Sequence, residues 1–221
     1  MLLYLHGFAS SPASHKARVF CRRLAERGED LVVPALDEGD FEHLTLGRQL
    51  ALVGRVSRGT RPLAVIGSSM GGYLAALHAS RSEVDALVLM APAVDFLARW
   101  REKVGEADLE KWRRDGVTEV DHVAQGRKVP LRFELMEEAA RHEPWPEVRC
   151  PVLVFQGTRD DVVPPERVKR WVAATPTATL VMLESGHELT DCAEEIAERA
   201  LRFLASVPAI ARAHPGISRL N

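Results

Sequence analysis

The chain has 221 residues, of which 46% are hydrophobic and 27% are charged, ordinary values for one globular α/β domain. A formal net charge of −2 gives no reason to expect nucleic acid or an anionic membrane surface as a partner, so we expect neither. No apolar run approaches the roughly 18 residues of a membrane span, and Met1 begins no recognisable secretory leader. Cys21, Cys150 and Cys192 lack metal-ligand spacing. We therefore expect a cytoplasmic protein without a metal or another cofactor, and the sequence carries no signal of its oligomeric state.

Short apolar runs along the chain predict strands. They are rich in valine and leucine and mostly do not alternate with polar residues, which is typical of strands buried on both faces of a parallel sheet. These runs cover residues 2–6, 31–36, 62–67, 84–91, 152–157 and 178–184.

Amphipathic segments lie between most of these runs and predict helices. They cover residues 15–27, 46–57, 165–174 and 191–204. The alternation predicts an α/β fold with a doubly wound, mainly parallel sheet of about six strands. We expect one domain that spans residues 1–221.

The stretch between the fourth and fifth runs is too long for an ordinary connection. It contains helical patterns near residues 96–104, 107–115 and 132–142. Because it follows the carboxyl end of a strand, where open α/β sheets bind ligands, we expect a small helical cap insertion at about residues 95–146. The alternative is that this insertion only covers a face of the sheet.

Residues 67–71 read Gly-Ser-Ser-Met-Gly and match the pattern G-x-S-x-G around Ser69. The pattern follows an apolar run and precedes a helical stretch, which is the strand–turn–helix setting of a nucleophile elbow. Glycines on both sides of the serine relieve the crowding in such a turn. Ser68 does not fit, because Ile66 and Met70 occupy its two flanking positions. Ser69 is therefore the candidate nucleophile.

A serine nucleophile needs an adjacent general base. Among the eight histidines, His187 follows the last predicted strand in the segment Ser-Gly-His-Glu-Leu. That position suits the chain order of serine, acid and histidine that belongs to this kind of elbow. His214 in the tail is the other candidate, whereas His78 lies in the helix after Ser69 and is expected to have a structural role.

The acid of such a site orients the imidazole and stabilises the imidazolium. Residues 157–164 read Gly-Thr-Arg-Asp-Asp-Val-Val-Pro and follow the fifth predicted strand. Asp160 has the better spacing, and Asp161 suits a role in shaping the turn. Asp161 and, more distantly, Asp95 stay open as alternatives.

Two backbone amides would stabilise the oxyanion that forms in acyl transfer. One is expected at Met70, directly after the nucleophile, and the other at Phe8 in the loop His-Gly-Phe-Ala-Ser after the first strand. His6 is expected to shape this loop rather than to react.

The order of four motifs resembles the α/β-hydrolase superfamily: Leu-Tyr-Leu-His-Gly-Phe, Gly-Ser-Ser-Met-Gly-Gly, Gly-Thr-Arg-Asp-Asp-Val-Val-Pro and Ser-Gly-His-Glu-Leu. The opening Tyr-Leu-His-Gly-Phe-Ala-Ser-Ser-Pro and the short chain resemble the small bacterial YqiA-type esterases. The resemblance implies an α/β-hydrolase fold without the two N-terminal strands of many members. It also implies a triad of Ser69, Asp160 and His187, with oxyanion donors at Phe8 and Met70.

By this resemblance the chain is expected to be a serine hydrolase, a carboxylesterase that cleaves small or medium acyl esters through an acyl-enzyme. An acyl thioesterase with the same triad is the alternative, and a non-catalytic binding protein on this scaffold is a more distant one. We expect an apolar acyl pocket lined by Phe8, Leu97, Trp100, Val162 and Leu189. For Leu97 and Trp100, an ordinary role in the core is expected at least as much as a place in the pocket.

Overall fold

The computed structural model describes residues 1–218, which contain a central parallel sheet of five strands. These strands are β1 (Leu2–Leu5), β2 (Ala64–Ser68), β3 (Ala86–Met90), β6 (Val152–Gly157) and β7 (Ala178–Leu183). Their order across the sheet is β1-β2-β3-β6-β7. Every neighbouring pair is parallel, so all five carboxyl ends meet at one edge of the sheet. The predicted α/β class and mainly parallel sheet are confirmed.

The sheet has five strands rather than six because residues 31–36 do not form one. Val32 makes only an isolated parallel bridge with Leu3. Its amide donates to the Leu2 carbonyl at 3.0 Å, and its carbonyl accepts from the Tyr4 amide at 2.8 Å. The next residue that faces β1 is Pro34, whose missing N–H ends the ladder.

Helices cover both faces of the sheet, as a doubly wound fold requires. One face carries α1 (His15–Ala25), α8 (Ala193–Ser206) and α9 (Pro208–Ala213). The other carries α2 (Leu46–Ser57), α3 (Met70–Arg81) and α7 (Pro165–Ala173). Among residues 1–218, no helix is long and apolar enough to cross a membrane.

The insertion contains helices, as expected, and also a β-hairpin that the sequence analysis did not predict. Its helices are α4 (Phe96–Val104), α5 (Glu106–Asp115) and α6 (Glu134–Ala139). Between α5 and α6, β4 (Val117–His122) pairs antiparallel with β5 (Arg127–Arg132). Alternate residues of β4 are more buried, as expected for a strand, whose side chains point to opposite faces in turn. At the turn of the hairpin, Gly126 adopts a positive φ of 63°.

Hydrogen bonds place the insertion beside the carboxyl edge of the sheet. The hairpin donates from the Ala124 amide to the Ala9 carbonyl, at 3.3 Å, in the loop after β1. On α4, the Arg99 guanidinium donates to the carbonyls of Val162 and Asp161, at 2.7 and 2.6 Å, in the loop after β6. The insertion therefore contacts two of the loops that carry candidate site residues.

The contact between α3 and β1 leaves no room for a side chain at Gly71, because a β-carbon there would overlap the carbonyl oxygens of Leu5 and His6. We expect Gly71→Ala to lower the free energy of unfolding by about 3 kcal/mol, measured by urea denaturation. Gly54 in α2 is the matched control, because a β-carbon there meets no atom within 4 Å. Gly54→Ala should raise stability by about 0.5–1 kcal/mol. Wild-type stability of Gly71→Ala would contradict the packing described.

Candidate active site

Ser69 stands in the turn between β2 and α3 with φ 54° and ψ −118°, a conformation that a residue with a β-carbon seldom adopts. Its amide donates to the Met90 carbonyl at 2.8 Å, and its carbonyl accepts from the amides of Gly72 and Ala93 at 2.9 and 3.0 Å. These bonds hold the strained turn. The Ser69 side chain is thereby presented at the carboxyl edge of the sheet, at the start of α3.

His187 lies in the loop between β7 and α8, with 11% of its side chain exposed. Its Nε2 is 3.0 Å from Ser69 Oγ, and its Nδ1 is 2.9 Å from Asp160 Oδ2. A carboxylate can only accept, so Nδ1 carries the proton in the neutral ring and Nε2 is left to accept from the serine hydroxyl. The structure thus brings together the three residues of the predicted triad.

Asp160 is a buried carboxylate with several hydrogen-bond donors. Its Oδ1 accepts from the amides of Val162 and Val163 at 2.9 and 2.7 Å, and its Oδ2 accepts from Gln156 Nε2 at 2.9 Å. Burial by itself raises the pKa of this carboxyl, but the bonds from His187, Val163 and Gln156 outweigh it and lower the pKa. Asp160 is therefore ionised at neutral pH and can hold the imidazole.

The amides of Met70 and Phe8 are available at the predicted oxyanion positions. Met70 is the first residue of α3, where an amide has no acceptor within the helix and the helix dipole favours negative charge. Within residues 1–218, neither amide donates to a protein acceptor. Gly7 brings the Phe8 loop against the nucleophile, since a β-carbon at Gly7 would stand 3.5 Å from Ser69 Cβ.

The hydrogen bonds of the His6 ring are made within and beside this loop, which agrees with the expected shaping role. Its Nδ1 is 3.0 Å from the Gly7 carbonyl, and its Nε2 accepts from the Leu36 amide at 3.3 Å. Burial lowers the pKa of His6. The neutral ring suits both bonds, with the proton on Nδ1.

A cavity of about 480 Å³ opens at Ser69 and Met70, and the predicted pocket residues Phe8, Trp100 and Val162 line it. Its walls are mainly apolar, and four charged side chains also line it. Those charged residues are Arg99, Lys103, Glu119 and Asp121.

Leu97 and Leu189 do not line this cavity, so the structure contradicts their placement in the acyl pocket. Phe96 and Trp100 lie four positions apart on the cavity side of α4, whereas Leu97 is turned away and lines a separate cavity with Tyr73. Leu189 is only 1% exposed and packs in the core beneath α1 and α8.

The alternative acids and base have other partners. Asp95 forms an ion pair with Arg167, and His214 pairs with Glu29 at 2.7 Å. Asp161 is exposed, and its backbone carbonyl accepts from Arg99. Among the residues that the structure describes, the side chain that hydrogen-bonds to Ser69 Oγ is that of His187.

Two features of the site were missed in the sequence. One is Gln156, which donates to Asp160; its signal was a polar residue at the end of an otherwise apolar strand. The other is the hairpin, whose residues Val120 and Val123 line the cavity. Its alternating pattern was the available signal.

The fold and the arrangement at Ser69 define the class: the chain is a member of the α/β-hydrolase superfamily. Residues 1–205 match the family described as "Uncharacterised protein family (UPF0227)", and the chain belongs to that family. The resemblance to the superfamily and to its small bacterial YqiA-type members is confirmed.

Comparison with other proteins supports a hydrolase as the functional class. The chain is 26% identical over 212 residues to "Palmitoyl-protein thioesterase ABHD10, mitochondrial" of Bos taurus, covering 87% of this chain and 68% of that protein. The structure of mouse ABHD10 superposes with a TM-score of 0.76 at 19% identity, covering 92% of this chain and 88% of the other. Est1E of Butyrivibrio proteoclasticus superposes with a TM-score of 0.69 at 22% identity, covering 93% and 88%. The two structural matches show a shared fold.

The bond between Gln156 and Asp160 predicts a pH-dependent loss of stability in Gln156→Glu. A second carboxyl buried beside Asp160 resists ionisation, so its pKa in the folded state exceeds its unfolded value. The destabilisation should reach about 3 kcal/mol at pH 8 and shrink as the pH falls through that raised pKa, measured by urea unfolding at pH 5 and pH 8. Gln125→Glu, at an exposed turn position, is the control and should change little. An equal loss at both pH values would refute the contact.

Proposed function

We propose that this chain is a serine hydrolase in which Ser69 is the nucleophile, His187 the general base and Asp160 the residue that orients the imidazole. The observation that carries the proposal is the pair of hydrogen bonds on the two nitrogens of His187, 3.0 Å to Ser69 Oγ and 2.9 Å to Asp160 Oδ2. In acyl-transfer enzymes, a histidine held in this way by a carboxylate activates the serine.

In the proposed reaction, His187 Nε2 takes the proton of the Ser69 hydroxyl as the oxygen attacks the substrate carbonyl. The carbonyl oxygen becomes an oxyanion that accepts from the amides of Phe8 and Met70. His187 then passes the proton to the leaving alcohol or thiol, and the acyl group stays on Ser69. Water activated by the same imidazole releases the carboxylic acid and restores the serine.

The proposed substrate is a small-molecule ester with an apolar acyl group of small or medium size. The apolar walls of the cavity at Ser69, from Phe8, Trp100 and Val162, support this choice. In this proposal the insertion acts as a cap, because α4 and the hairpin supply walls of the same cavity.

An acyl thioesterase with the same three residues is the second candidate. The relative named as a palmitoyl-protein thioesterase favours it. A thioester and an ester place the same carbonyl before Ser69 and differ in the leaving group, so the triad serves both. A non-catalytic binding role is disfavoured because His187 is within hydrogen-bond distance of both Ser69 and Asp160.

The cytoplasmic location stays a prediction from the sequence. The bovine relative is named as a mitochondrial protein, and that location is a property of the relative.

Ser69→Ala tests the nucleophile. We expect turnover of a p-nitrophenyl ester to fall on the order of 10⁴-fold, and covalent labelling by a fluorophosphonate probe to be lost. Ser68→Ala, one residue earlier at the end of β2, is the matched control and should keep the label. Near wild-type turnover by a folded Ser69→Ala protein would refute the assignment.

Trp100→Ala tests the acyl pocket. Removing the indole from the cavity wall should shift kcat/KM toward bulkier acyl groups by about tenfold or more, measured on matched esters and thioesters from acetyl to palmitoyl. Leu97→Ala lies on the same helix but lines the other cavity, so it should leave the preference unchanged. The same shift in both variants would argue against the pocket. The wild-type series also decides between ester and thioester.

A further inference from the structure

Lys16 is a buried lysine that the proposed reaction does not use. It is the second residue of α1, and only 8% of its surface is exposed. Its ammonium group donates to the backbone carbonyl of Glu188, the residue directly after His187. Burial lowers the pKa of Lys16, while the carboxylates of Glu188 and Asp160 raise it. Burying an ammonium group costs free energy, and an apolar side chain of the same length would avoid that cost. What the apolar side chain could not supply is the hydrogen bond to the Glu188 carbonyl.

The loop that carries His187 has little regular structure of its own. It runs from the end of β7 at Leu183 to the start of α8 at Ala193, and Leu189 within it has a left-handed φ of 52°. Near the start of this loop, the Ser185 carbonyl accepts a hydrogen bond from the Arg159 amide at 3.0 Å. The contact from Lys16 lies in the middle of the loop, at the residue directly after His187.

We propose that Lys16 is a positioning residue for the chemistry at Ser69, an inference that rests on the proposed function. By holding the Glu188 carbonyl, Lys16 keeps His187 Nε2 at 3.0 Å from Ser69 Oγ. The helix that carries Lys16 directly follows the loop of Phe8, one of the proposed oxyanion donors. A single side chain therefore connects the helix beside that donor to the loop of the general base. A small displacement of a general base lowers the rate of the chemical step strongly, because the base must lie within hydrogen-bond distance of the proton that it takes.

The test compares Lys16→Met, which keeps the length of the side chain, with Lys16→Arg, which keeps the charge and the donors. For each variant, kcat and KM are measured on a p-nitrophenyl ester, together with the rate of fluorophosphonate labelling and the melting temperature. Lys16→Met should lose about 10–100-fold in kcat with little change in KM, and Lys16→Arg should recover much of that loss. Lys169→Met removes a half-exposed lysine that pairs with Glu166, and should match the wild type.

The outcomes separate this inference from the proposed function. If the wild-type protein is neither labelled nor active, the proposed function fails. If the wild type is labelled and folded Lys16→Met keeps wild-type kcat, the positioning role is overturned while the function stands, even where the melting temperature falls. If Lys16→Met does not fold, Lys16→Gln takes its place, and an unchanged kcat in that variant overturns the role in the same way.

Discussion

The site depends on one backbone constraint, the left-handed turn at Ser69 between β2 and α3. A residue with a β-carbon enters this conformation only at a cost in free energy, so the surroundings must hold it there. The Ser69 amide and carbonyl bond to Met90 and Ala93, which ties the turn to the end of β3. The turn also requires α3 to approach β1 so closely that position 71 admits only glycine. The same turn leaves the amide of Met70 at the start of α3, where it donates to no acceptor among residues 1–218.

A buried carboxylate at the same edge of the sheet completes the arrangement. Asp160 lies in the loop after β6 and His187 in the loop after β7, and the parallel pairing of these strands brings both loops to the same edge. Donors from Val162, Val163 and Gln156 offset the cost of burying the charge. Because Asp160 holds the Nδ1 side of the imidazole, Nε2 faces the serine.

Aromatic packing links the cavity wall to the loop of the proposed oxyanion donor. The ring of Phe8 is 5.1 Å from Trp100, and Trp100 is 5.9 Å from Trp112 on the next helix of the insertion. Trp112 in turn packs edge-on against Phe133, at 5.4 Å, directly after the hairpin. The side chains that would select the acyl group therefore also support the backbone that would bind the oxyanion. A change in the insertion can alter rate and selectivity together.

The sequence by itself determined the α/β class and the five strands of the sheet, because buried parallel strands have a local pattern. It also pointed to Ser69, Asp160 and His187, and the structure brings His187 within hydrogen-bond distance of the other two. It overestimated the sheet by one strand, because the effect of Pro34 appears only once the neighbour of residues 31–36 is known. It also placed Leu97 and Leu189 in the pocket, since residue type does not say which side of a helix or loop faces a cavity. Tertiary structure alone decided these orientations and the pairing of the hairpin. It alone also decided the contact of Lys16 with a loop 172 residues away along the chain. Each of these features depends on how segments pack against one another in space.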